Sequence, residues 1–201
     1  MPNLSDIRNE SINHLAESCK YDKAHCKHIA KLSMQAFSQL KTLHELGEEE
    51  GEYLHAAAIL HDIGYHISHS NHHHHSFYII RNSELLGFNE NEINIIAHVA
   101  RYHRKSHPKS RHEDFNLLSS KTQNIVKKLA AILRIIDALD RTHKQLVKAV
   151  KILVDNSNVE LILECSRGDK PEIELWNLER RKALFEEVYN KNVIVRTVYQ
   201  K

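Results

Sequence analysis

The sequence predicts a mostly α fold, a helical bundle followed by a small α+β unit, and three observations lead there. Glycine and proline are scarce, five and three in 201 residues, so long uninterrupted elements are expected and a turn-rich β sandwich is not. Apolar residues recur at spacings of three and four through the first two-thirds of the chain, the period of an amphipathic helix. Near residue 149 the pattern changes to short β-branched runs, VKILV, VELILEC and NVIVRTV, bounded by turn residues, which read as strands. The organisation that follows is a helical domain over residues 1–148 and a β-β-α-β subdomain over residues 149–201.

Taken in order, Ser5 suits the cap of a first helix to about Ser18, and Asp22 the cap of a second to about Glu45. On the second, Ile29, Leu32, Ala36, Leu40 and Leu43 make one apolar stripe, and Gly47 ends it. A third helix over about Glu48 to Asp62 places Leu54, Ala57, Ala58 and His61 together. Gly64 to Asn71 reads as a polar loop, and a short helix follows from about His75 to Ser83. Asn89 with Glu92 three positions on makes a capping box for a helix to about His103. Arg104 to Asn116 is a basic connection, and Ser119 or Ser120 starts a long helix bearing Ile125, Leu129, Ile132, Leu133, Ile136 and Leu139. Within the tail, Trp176 to Tyr189 reads as a helix.

Composition excludes several classes. Apolar residues make up 41% and the net charge is +2, so disorder is not expected and no general electrostatic case for nucleic acid exists. No run approaches the ~20 apolar residues of a membrane span, and the first residues lack the apolar core of a secretory signal. Cys19, Cys26 and Cys165 are odd in number and irregularly spaced, which suits a reducing cytoplasm rather than a disulfide framework. No glycine-rich nucleotide loop of the GxGxxG or GxxxxGK[ST] kind occurs. The outlier is histidine, with 17 copies, the commonest metal-ligand residue.

The chemistry gathers at Leu60-His61-Asp62-Ile63-Gly64. An imidazole and a carboxylate, adjacent at the end of an apolar helix, form a compact mixed N/O pair for a divalent ion. His25 sits on the core side of the second helix, and Asp137 interrupts the aliphatic run LAAILRIIDALD. A buried carboxylate there asks for a counter-charge. A shared metal would supply it; an ordinary pair with Arg134 or Arg141, three before and four after, is the competing reading. His75 and His103 are candidates for further ligands, His103 being favoured over His98, which points about 140° away at ~3.6 residues per turn. The remaining members of the run His72 to His75 read as solvated. Arg104, Lys105 and Arg141 border these ligands and suit phosphate oxygens through charge-assisted bonds.

The order His25, His61-Asp62, Asp137 resembles the H…HD…D pattern of the HD superfamily of metal-dependent phosphohydrolases. The strings LHDIGYHISHSNHHHHSFYII, ARYHRK and LRIIDALDRTH are similar to the C-terminal HD domain of bacterial exopolyphosphatase/guanosine pentaphosphate phosphohydrolase proteins, over about Tyr21 to Val198. The actin-like N-terminal module of full-length members lies outside that likeness. The resemblance implies an HD-domain helical bundle in which His25, His61, Asp62 and Asp137 bind a divalent metal (Mn, Fe, Ni, Co, Zn or Mg), with His75 and His103 matching a second site. It further implies that Asp62 is catalytic, orienting a water toward the phosphorus of a phosphate ester or anhydride in a nucleotide, guanosine polyphosphate or polyphosphate. Tyr65 stands where many HD proteins have Lys, and Tyr102-His103 where some relatives have His-His. These departures motivate the alternative of a non-catalytic polyphosphate- or nucleotide-binding regulatory module. The expected partner is a phosphate-containing small molecule or polyphosphate, with no membrane and no nucleic acid. A strand edge in the tail is a candidate homodimer contact.

Overall fold

Helix α4, Glu48–Leu60, opens on an acidic first turn but is apolar and buried on nearly every side in its second half, with Leu54, Ala56, Ala57, Ala58, Ile59 and Leu60 buried. Such a helix belongs in the middle of a bundle, and the computed structural model, which describes residues 3–200, places it there. Around it stand α1 (Leu4–Ser18), α2 (Lys23–Gln39), the short α3 (Lys41–His44), α5 (His72–Arg81), α6 (Glu90–Arg101), α7 (Glu113–Asn116) and α8 (Ser120–Asp137). Contacts of α4 with α1, α2, α6 and α8 define the bundle. Single 3-10 turns, Ile63–His66 and Ala138–Asp140, follow α4 and α8. The fold is mostly α with a small α+β unit at the C-terminal end.

Caps set several boundaries. Asn3 rather than Ser5 caps α1, its side chain accepting the Asp6 N–H at 2.9 Å. Asp22 caps α2 by accepting the His25 N–H at 3.1 Å, which orients the first turn that carries His25. The capping box at α6 is present in both directions, Glu92 N–H to Asn89 Oδ1 at 3.1 Å and Asn89 N–H to Glu92 Oε2 at 2.7 Å. The expected helix from Asp22 to Glu45 breaks at Leu40 into α2 and α3, where His44 turns back to hydrogen-bond Phe37 O at 2.8 Å. No glycine or proline marks that break in the sequence.

The tail holds β1 (Val147–Val154), β2 (Asn158–Ser166), α9 (Glu172–Arg181), α10 (Ala183–Tyr189) and β3 (Asn192–Gln200). β1 and β2 pair antiparallel, and β3 returns parallel to β2 in the order β1-β2-β3. The single helix expected over Trp176–Tyr189 is two, starting at Pro171 and divided at Lys182, whose ammonium group reaches Val193 O at 3.2 Å. The outer edge of β1 is sealed by α2: Gln35 and Gln39 exchange side-chain hydrogen bonds with the backbone of Val150 and Ile152 at 2.8 to 3.1 Å. One apolar core runs from Ile12 in α1 to Val193 in β3. The tail thereby fixes α9 over the end of α8. No helix among the described residues is long and apolar enough to cross a membrane.

Candidate functional site

Helix α4 ends into the core, and His61 and Asp62 at its end are buried. Gly64 follows because nothing larger fits: a Cβ there would lie 2.0 Å from His72 O and 2.5 Å from Ser76 N. The first turn of α5 therefore packs directly onto the turn after Asp62. Ser76 clasps the two, accepting the Gly64 N–H at 2.9 Å and donating to His61 O at 2.6 Å. This close approach brings His72 to the site.

Four imidazoles converge on two carboxylates. His25 Nε2 and His61 Nε2 each lie 3.4 Å from Asp137 Oδ1, and 3.9 and 3.5 Å from Asp62 Oδ2. On the other side of the same carboxylate, His72 Nε2 is 3.1 Å and His103 Nε2 3.6 Å from Asp62 Oδ1. Three overlapping groups result: the fully buried His25–His61–Asp137 and Asp62–His72–His103, with Asp62 between them, and His25–Asp62–His143, whose His143 is exposed. Ligands each about 2.1 Å from one ion stand roughly 3.0–3.4 Å apart at octahedral or tetrahedral angles, so the spacing fits a divalent metal.

The backing of each ring fits as well. Nδ1 of His61 faces Ala58 O at 2.8 Å, that of His103 faces Ala100 O at 2.6 Å, and that of His72 faces His69 O at 3.1 Å. Nδ1 of His25 faces Asp140 Oδ2 at 2.9 Å. An acceptor behind every Nδ1 fixes its proton there and leaves Nε2 as the free donor atom, as metal-bound histidines require. Nε2 of His25, Nε2 of His61 and Oδ1 of Asp62 are buried without a hydrogen-bond partner. Buried polar atoms are rarely left so, and a cation would satisfy all three.

Charge in the site is tightly balanced. Burial disfavours the His25 imidazolium, yet Asp137 and Asp140 outweigh it and push its pKa up to about 10. Burial holds His103 well below the usual histidine range, helped by the positive charge on His61. For Asp137, burial opposes ionisation, but the Arg181 guanidinium and the two histidines hold its carboxyl well below the usual carboxylate range. Without a metal the cluster neutralises itself with protons and arginine; a divalent ion would replace that charge.

The structure thus brings together His25, His61, Asp62, Asp137 and His103 and leaves His75 outside. His75 is half-buried, and Tyr78, one turn on, is 63% exposed. The inward stripe of α5 is instead His72, Ser76 and Ile80, because the helix begins at Asn71 and its first turn is the part pressed against Gly64. Tyr65 covers His72 in a stack 4.0 Å between centroids, and the Arg104 guanidinium lies 3.1 Å from its Nε2. His98 is buried like His103 but sits against Phe77, away from the cluster.

Neither Arg134 nor Arg141 pairs with Asp137. Arg134 donates to Tyr102 O at 3.2 Å and Lys105 O at 2.6 Å, and Asp137 hydrogen-bonds Arg181 from α9. Sequence reasoning missed Arg181, which is 44 residues away, and Asp140, which backs His25. Asp140 carried a signal, since it stands three residues after Asp137 and shares its helical face. Arg104, Lys105 and Arg141 do line one cavity beside the cluster.

Comparisons with known proteins give the family. The family model described as Ppx/GppA phosphatase, domain III, matches residues 7–182. A guanosine-5'-triphosphate,3'-diphosphate pyrophosphatase of Pseudoalteromonas translucida (strain TAC 125) is 30% identical over 132 residues, covering 64% of this chain and 27% of that protein. The protein of the same name from Pseudoalteromonas atlantica (strain T6c / ATCC BAA-1087) is 26% identical over 132 residues, 65% of this chain and 26% of its own length. The match therefore spans about a quarter of these relatives. With the family match extending from α1 to the joint between α9 and α10, the chain belongs to the Ppx/GppA phosphatase domain III family.

Proposed function

We propose that the chain is an HD-type metal-dependent phosphohydrolase acting on a phosphate ester or anhydride, with nucleotides, guanosine polyphosphates and polyphosphate as the candidate substrates. The observation that carries this reading is the convergence of four Nδ1-backed histidines on one buried carboxylate, Asp62. His25, His61 and Asp137 would hold one divalent ion, His72 and His103 a second, and Asp62 would bridge them. When bound, such ions would lower the pKa of a water and polarise the phosphoryl oxygen.

The chain's own residues would do the rest. Asp62 would orient the water for in-line attack while fixing the separation of the two sites. Asp140 would keep the His25 proton on Nδ1, and Arg181 would hold Asp137 ionised and in place. Arg104, Lys105 and Arg141 would neutralise the phosphate oxygens as charge develops. The names of the curated relatives support a phosphate anhydride as the bond broken. Release of phosphate from a panel of nucleotides, guanosine polyphosphates and polyphosphate, with added Mn, Ni, Co, Zn or Mg, tests the proposal. Metal-dependent release that is lost in Asp62→Ala supports it, and turnover retained in that variant excludes it.

One observation favours a second reading, a non-catalytic binding module. Arg181 already neutralises Asp137, and Arg104 already faces His72 Nε2, so cations of the chain stand where metal charge would act. That reading expects salt-sensitive binding of polyphosphate or nucleotide without turnover. Multiple-turnover hydrolysis by untagged protein rules it out.

A further inference from the structure

Helix α9 closes a cavity that the metal cluster does not account for. It encloses about 440 Å³, within the roughly 300–1,000 Å³ of small-molecule sites. Arg104, Lys105, Arg134, Arg141, Arg180 and Arg181 line it, together with Trp176 and Asn177, and no carboxylate does. Two of these side chains are deeply buried and carry an unused donor. Asn177 is 7% exposed and its Nδ2 has no partner; Arg134 is 6% exposed and its Nε has none. Burying such donors unpaired is costly. Burial, and after it the neighbouring Arg181, push the Arg134 pKa down to about 10.

We propose that this cavity is an anion subsite that holds a run of phosphates beyond the one undergoing reaction, with the guanidinium groups of Arg141 and Arg180 as its contacts. Arg181 joins it to the hydrolytic site, since the same side chain lines the cavity and hydrogen-bonds Asp137. The indole of Trp176 is 59% exposed at its wall, with Arg180 stacked 4.5 Å from the ring. The phosphate run can belong to a nucleoside polyphosphate, whose base would reach Trp176, or to inorganic polyphosphate. The inference rests on the hydrolytic reading for which phosphate reacts, but not for whether the subsite binds.

Trp176 is the single tryptophan of the chain, so its fluorescence reports on this cavity alone. Untagged protein kept metal-free with EDTA is titrated with sodium tripolyphosphate, with GTP and with orthophosphate. Saturable changes with tripolyphosphate and GTP, at least tenfold weaker with orthophosphate, are expected. Arg141→Ala with Arg180→Ala should weaken both by tenfold or more, while Arg141→Lys with Arg180→Lys retains most of the affinity and all variants melt like the parent. Tighter GTP than tripolyphosphate identifies a base on Trp176; equal binding identifies the phosphates alone. No saturable response, or equal binding in the alanine variant, overturns the subsite. Binding without phosphate release under any metal would leave the subsite standing and remove the hydrolytic reading.

Discussion

Gly64→Ala is the smallest change that tests how the site is assembled. The added Cβ would lie 2.0 Å from His72 O and 2.5 Å from Ser76 N, both backbone atoms. Ordinary contact begins near 3.4 Å, so the start of α5 must retreat by about 1.4 Å. No rotamer change can absorb that, because the clash is with main chain. The retreat would pull apart the Ser76 clasp on Gly64 and His61 and carry His72 away from Asp62. Overpacking of this kind costs about 1–3 kcal/mol, and a backbone clash belongs at the upper end. At roughly 2–4 °C per kcal/mol for a chain of this size, Tm should fall by about 6–12 °C. Thermal unfolding followed by circular dichroism, with elemental analysis of the folded fraction, reads both effects. The variant should lose the metal at Asp62–His72–His103 and keep the one at His25–His61–Asp137. A Tm within about 2 °C of the parent with an unchanged metal complement would refute the argument that Gly64 positions His72.

Two further outcomes are expected. Arg181→Ala leaves the buried Asp137 carboxylate without its guanidinium, a loss of about 3–5 kcal/mol for a broken buried pair. Metal should offset much of it, so the Tm deficit should be large in EDTA and small with metal; equal deficits would argue against Asp137 as a ligand. At the far end of the bundle, burial opposes ionisation of Glu92, but the Asn89 N–H, the Tyr53 hydroxyl and Arg8 together hold its pKa below the usual range. A depressed carboxylate stabilises the fold above its unfolded pKa of about 4.3 and loses that contribution as pH falls through the folded value. Glu92→Gln should therefore cost about 1–3 kcal/mol at pH 7 and show a shallower loss of stability below pH ~4.5 in urea titrations. Parallel pH curves would contradict it.

How much of this was legible in the sequence depends on whether the signal was local. The bundle, the strands of the tail and the Asn89–Glu92 cap follow from periodicity and short-range chemistry, and the structure has them. The break at Leu40 has no punctuating residue, since it is made by His44 folding back on Phe37. Within the run His72 to His75, composition cannot say which ring turns inward. That is decided by where α5 starts and by the space at Gly64, a contact between backbone segments eight residues apart. Arg181 was hidden for a different reason. Glu174, Asn177, Leu178 and Arg181 share one face of α9, but a mixed polar face on a tail helix reads as solvent-facing until the sheet places it over α8.

The central claim is that Asp62 bridges two metal sites, and metal stoichiometry tests it most directly. Untagged parent protein, Asp62→Ala, His72→Ala and His75→Ala would be loaded with one metal, desalted and assayed by elemental analysis beside protein concentration. The account expects about two equivalents in the parent and in His75→Ala, about one in His72→Ala, and essentially none in Asp62→Ala. A parent that binds no metal, or an Asp62→Ala variant that binds as much as the parent, would contradict it.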